Sequence, residues 1–185
     1  MLAYVRPRGP HPDMPDDVKE ASPGELSHLG KSGRARMVDV SEKPVTRRRA
    51  RASCRVLLAP ETVERLERLP KGDAYAVARL AGIQAAKRTD ELVPLAHPLP
   101  IDQVEVEVEP AEGGVVIRSL VVTTARTGAE MEALVACSLA ALALYDMVKA
   151  VDRGAVVTEL RLESKSGGAS GDYRRVGSGG AAAGG

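Results

Sequence analysis

The sequence predicts an α+β protein in which an antiparallel sheet carries helices on one face, in the split βαβ, ferredoxin-like order. Three observations lead there. The hydrophobic period switches repeatedly between the alternation of strands and the three-to-four spacing of helices. Val104-Glu-Val-Glu-Val-Glu109 alternates strictly, which buries valines and leaves glutamates wet, and Gly113-Gly114 turns it into a partner run, Val115 to Thr123. A long apolar helical stretch then separates this hairpin from a last alternating segment with Val156, Thr158, Leu160 and Leu162 on one side.

The elements follow in order. A short strand is expected over 36–40. In Arg51 to Leu58, Ala52, Cys54, Val56 and Leu58 share a face, so this segment is a strand. Pro60 suits a first helical turn and opens a helix over Glu61 to Leu69, which Pro70-Lys71-Gly72 breaks. Asp73 is the expected N-cap of a second helix over 74–87, with Leu80, Ile83 and Ala86 turned inward. A proline-rich loop, Val93 to Pro100, leads to the hairpin. Thr127-Gly-Ala-Glu130 has the spacing of a capping box, so the long helix should start there, with Glu130 at its third position, and run to about Val151. Arg153-Gly154 ends it. This helix is apolar most of the way round and one sheet face has no helix to cover it, so self-association is expected.

The chain has 185 residues, enough for one domain with tails. Residues 1–34 are rich in proline and mixed charge and read as disordered, residues 35–175 as a single domain, and 176–185 as a flexible Gly/Ala tail. There is no Phe or Trp and only four Tyr, so stacking on nucleobases is nearly excluded as a binding device. Lys+Arg number 26 against 25 Asp+Glu, a net charge of +1, which lacks the basic excess of a nucleic-acid binder. Cys54 and Cys137 make neither a disulfide framework nor a metal site, and read as core residues of a reducing compartment. No apolar run at the N-terminus suggests a secretory signal, and none elsewhere a membrane span, so the expected location is cytoplasmic. His11 and His28 fall in the N-terminal tail and no metal-ligand spacing is present.

Five places carry polar residues that the fold alone does not require. Lys71-Gly72-Asp73 puts a lysine beside a helix start, where it can reach an anion or simply be solvated. His97, between Pro94 and Pro98 and after Leu95-Ala96, is held by a stiff backbone, which suits proton transfer as well as mere surface packing. Glu130-Met131-Glu132 opens the long helix. Glu130 has a structural role in the capping box, whereas Glu132 has none beyond the general preference for acids in a first turn. Asp146 and Lys149 are three apart near the end of the same helix, hence on one face. They form either an exposed ion pair or a lysine oriented by an aspartate in a cleft that apolar neighbours help to desolvate. Lys165-Ser-Gly-Gly-Ala-Ser-Gly171 offers backbone N–H groups and a cation to phosphate, without the spacing of a Walker loop. The basic run Thr46 to Arg51 also suits anions, though such a run more commonly marks a solvated edge strand. Cations outnumber carboxylates across these patches. That balance suits a polyphosphorylated small molecule handled by acid–base steps, with no redox cofactor.

These segments resemble the MoaC family of molybdenum cofactor biosynthesis. The matching stretches are Met37-Val-Asp-Val-Ser-Glu-Lys43, Lys71-Gly-Asp73, Ala81 to Thr89, Val93 to Leu99, Thr127 to Leu134, Tyr145-Asp-Met-Val-Lys-Ala150 and Lys165 to Gly171. The resemblance implies an enzyme without cofactor that converts 3',8-cyclo-7,8-dihydro-GTP, supplied by a radical-SAM GTP cyclase, to cyclic pyranopterin monophosphate and diphosphate. It also implies a hexamer of three dimers, with the site at the dimer interface. Carried over by position, Lys71, Lys149, Asp146 and His97 are catalytic. Leu95, Ala96, Glu130, Met131, Glu132, Lys43, Lys87 and Lys165 bind substrate. Ala96 and Ala169 depart from the family's usual Cys and Lys. The competing readings are a diverged relative acting on another nucleotide-derived substrate and a non-catalytic nucleotide-binding module.

Overall fold

The computed structural model describes residues 37–169 and 171–176. They fall in one unit that begins at Met37. The expected tails, 1–34 and 176–185, lie outside the described residues except for Val176, which is exposed. Strand β1 (Thr46–Leu57) starts five residues earlier than its apolar alternation suggests and includes the basic run. It is followed by α1 (Pro60–Val63), a 3₁₀ turn (Leu66–Arg68), α2 (Ala74–Ala86), α3 (Thr89–Leu92), β2 (Ile101–Ala111), β3 (Gly114–Ala125), α4 (Glu130–Val148), β4 (Val156–Ser166) and β5 (Tyr173–Arg174). The sheet order is β2-β3-β1-β4-β5, all neighbours antiparallel. β3 therefore separates β1 from β2, and the α+β class is as the sequence predicts.

Several local expectations are corrected. Residues 37–40 form no strand. A turn forms around them instead, Ser41 N–H donating to Asp39 Oδ1 at 2.9 Å and Lys43 N–H to the Val40 carbonyl at 3.0 Å. The helix expected over 61–69 breaks into one α-turn and one 3₁₀ turn. The Arg-rich run is part of a central strand, because β1 is paired on both sides, to β3 and β4. Its alternation still holds: Ala50, Ala52, Cys54 and Val56 are buried on the helix side while Arg49 and Arg51 point the other way. In β4 the expected alternation fails at a bulge opposite Ser53–Arg55, where Glu159 adopts φ 54°, and Leu160 ends up exposed. Leu80 is 68% exposed, not inward. Small residues Ala78, Gly82, Ala85 and Ala86 supply the buried face of α2.

Those small residues have a reason. α2 lies against α4 so closely that a Cβ on Gly82 would sit 2.8 Å from the Ala136 carbonyl oxygen and 3.1 Å from Val106 Cγ2. The core beneath is aliphatic, with Leu66, Ile117, Leu144, Val56, Val115 and Val121 fully buried, and free Cys54 and Cys137 packed among them. By length and composition α4 is apolar enough to cross a bilayer, yet its buried residues are engaged by β1, β3, β4 and α2. That is the signature of a core helix.

Candidate active site

α2 and α4 run antiparallel, and this decides where each polar group goes. Lys71 precedes α2 and so meets the end of α4. Gly72, at φ +107°, allows the tight turn there, its N–H donating to the Leu69 carbonyl at 2.8 Å. Asp73 caps α2 as expected, accepting from Ala76 N–H at 3.1 Å. Lys71 Nζ lies 2.9 Å from Asp146 Oδ2 and donates to the Asp146 carbonyl at 2.6 Å, while Lys149 Nζ lies 2.7 Å from Asp146 Oδ1. One carboxylate thus holds two ammonium groups. Hydrogen bonds from Lys149 and then Lys71 pull the Asp146 carboxyl down to about 2, so it is ionised at any working pH. The same contact, read from the other side, raises Lys149. The desolvation expected from apolar neighbours is absent within one chain: all three side chains are about half exposed.

The second cluster occupies the other end of α4. The capping box does not form. The helix begins at Glu130 itself, after Ala129, with no side-chain cap. The Glu130 carboxylate folds over Gly128 and pairs with Lys165 Nζ at 3.0 Å. Glu132 is buried, and its Oε2 has no hydrogen-bond partner among the described residues. Burial, reinforced by the nearby charges of Glu130 and Asp90, pushes its carboxyl up to about 7. Met131 beside it is exposed. The Gly-rich loop after Lys165 packs on β1, Gly168 lying under the Arg48 guanidinium where a Cβ would collide.

Among the remaining expected residues, Leu95, Ala96 and His97 sit half-buried in the turn after α3, with Ala96 N–H donating to the Val93 carbonyl at 2.9 Å. Lys87 caps the end of α2 and, with Leu99, Ile101, Asp102, Gln103 and Val104, lines a cavity of about 390 Å³. Lys43 is exposed in the turn before β1. Two residues escaped the sequence reading. Arg48 reads as one of a basic run, although strand alternation separates it from Arg49 and Arg51 and puts it on the face of Ala50, whose β4 partner is Lys165. Its Nε donates to the Ala125 carbonyl at 3.1 Å. Asp90 gave no signal, since only the approach of α3 to α4 brings it near Glu132.

The structure therefore gathers Lys71, Asp146 and Lys149 in one place and Glu130, Met131, Glu132 and Lys165 in another. Sixteen residues of α4 separate Glu130 from Asp146, about 24 Å at the usual helical rise. Fold and clusters together define an α+β protein with titratable groups of opposed character at the two ends of one helix. Residues 37–168 match the family model described as MoaC family, and the chain belongs to that family. It is 60% identical over 153 residues to a cyclic pyranopterin monophosphate synthase of Streptomyces griseus, covering 82% of this chain and 86% of that one. To the protein of the same name from Streptomyces coelicolor it is 54% identical over 165 residues (88% and 97%), and to that of Thermomicrobium roseum 56% over 155 (82% and 93%).

Proposed function

We propose that this chain is a lyase that converts 3',8-cyclo-7,8-dihydro-GTP to cyclic pyranopterin monophosphate and diphosphate in molybdenum cofactor biosynthesis. Its substrate would be supplied by a radical-SAM GTP cyclase. The observation that supports this best is the single Asp146 carboxylate holding both Lys71 and Lys149. Asp146 stays ionised and orients the two ammonium groups without exchanging protons itself. Lys149, its proton held more tightly by Asp146, enters the reaction as an acid and as a counter-charge to phosphate. Glu132, poised near 7, is suited to take a proton from the ring system as it opens and recloses. His97, Leu95, Ala96, Glu130, Met131, Lys43, Lys87 and Lys165 complete the binding surface.

The span of about 24 Å along α4 is too long for one substrate to touch both ends. A second copy, its α4 antiparallel to the first across a two-fold axis, brings one chain's lysines to the other's glutamates. Exposed Leu142, Met131 and Val77, together with Leu80, give the helix face the apolar surface that such pairing needs. Three such dimers would make the hexamer that the family resemblance implies. The free, buried cysteines suit a cytoplasmic enzyme.

Complementation tests both parts at once. Lys149→Ala and Glu132→Ala chains, each inactive alone, are co-expressed and assayed for pterin formation. About a quarter of wild-type sites should return, because half the dimers are mixed and each mixed dimer holds one intact site. Failure to recover any turnover from demonstrably mixed oligomers rejects the shared site.

A further inference from the structure

A second concave place lies on the opposite side of the sheet from the helices. It is a crevice of about 430 Å³ whose lining includes Arg49, Arg51, Ser164, Ser166, Asp172 and Arg174. The register explains its chemistry. Arg49 pairs with Ser166 and Arg51 with Ser164, which in turn pairs with Arg174, so a row Arg51–Ser164–Arg174 crosses three strands on one face. Lys165, between the two serines, points the other way, to Glu130.

Elsewhere on this face Arg118 pairs with Glu109 at 2.6 Å, Arg161 pairs with Glu163 at 2.8 Å, and Arg55 donates to the Glu112 carbonyl at 2.6 Å. Arg49, Arg51 and Arg174 have no ion pair or side-chain hydrogen bond among the described residues. The one carboxylate that lines the crevice among the described residues, Asp172, is engaged in closing the loop by accepting from Gly167 N–H at 3.1 Å. Three guanidinium groups with two hydroxyls beside them are therefore left facing a concavity without a counter-ion.

We infer that this crevice binds a condensed phosphate, either inorganic diphosphate or the phosphate tail of a nucleotide. Planar guanidinium groups bind phosphate oxygens in pairs, and the serine hydroxyls add donors. Arg49 and Arg51 are about 7 Å apart along the strand and Arg174 lies two strands from Arg51, about 10 Å. A lone phosphate ion is too small to engage all three, whereas two or more linked phosphates span them. The crevice shares only Lys165 with the glutamate cluster, and the Lys165 ammonium is turned away to Glu130, so this inference does not depend on the proposed reaction.

Hydrogen–deuterium exchange of the full chain tests it, with inorganic diphosphate, inorganic phosphate and GTP as probes. Diphosphate should slow exchange in peptides spanning 49–53 and 164–174, in the wild type and in Lys149→Ala alike. Arg51→Gln with Arg174→Gln should remove that protection, and Arg51→Lys, which keeps the charge and loses the fork, should weaken binding by about tenfold. Protection by GTP but not by diphosphate assigns the site to a nucleotide's tail. No protection in these peptides with any probe, or protection that survives the loss of both arginines, overturns the inference.

Discussion

Replacing Glu132 by glutamine isolates what burial does to one carboxylate. The folded chain holds this carboxyl near 7 against an ordinary 4.5, and burial is the main cause. An acid raised in this way is favourable to the fold only while protonated. Between about pH 4.5 and pH 7 the folded state binds more protons than the unfolded chain, so stability falls as pH rises and levels off above 7. The gap between 4.5 and about 7, at about 1.4 kcal/mol per pH unit, comes to about 3 kcal/mol. Glutamine has the same shape and cannot ionise. Near pH 4.5 the variant and the wild type should therefore differ little, and at about pH 9 Glu132→Gln should be the more stable by about 3 kcal/mol. Urea unfolding at a series of pH values measures this directly, and the difference between the two proteins cancels the contribution of every other acid. A difference that does not grow with pH would show that Glu132 is solvated or paired, and the reasoning from burial would fail.

Three more outcomes follow from the same geometry. Lys71→Ala should abolish pterin formation while changing stability by less than about 1 kcal/mol, since the ion pair it breaks is exposed; calorimetry with a turnover assay separates the two effects. Asp146→Asn removes the charge that raises Lys149, so the alkaline limb of kcat/KM against pH should move to lower pH, and an unmoved limb would detach Lys149 from the rate. Gly82→Ala should destabilise by about 1–3 kcal/mol by forcing α2 from α4, read as a lower Tm with an unchanged denaturant slope.

Much of the fold is written locally. The alternation of Val104 to Val108 and the Gly113-Gly114 turn give the hairpin, and the apolar length of α4 gives the core helix, because such periods fix which side chains can share a face. Boundaries and caps were less legible. Thr127 has the right spacing for a cap, yet Glu130 turns to Lys165, thirty-five residues away, since an ion pair between two half-buried groups competes with a local hydrogen bond. Leu80 reads as inward by hydrophobicity, but the close approach at Gly82 leaves room only for small residues between the helices.

The site divides in the same way. The sequence by itself supplied the candidates: Lys71, Asp146, Lys149, His97, Glu130 and Glu132 stand out by residue type, spacing and family resemblance. Only the tertiary structure decided their grouping, because that depends on two helices lying antiparallel. Contact across α2 and α4 joins Lys71 to Asp146 over seventy-five residues of chain, tertiary packing buries Glu132 until its charge becomes unfavourable, and helix length keeps those two events apart. Periodicity specifies which face a residue is on; which residues share a dielectric environment is set by packing between segments distant in the chain.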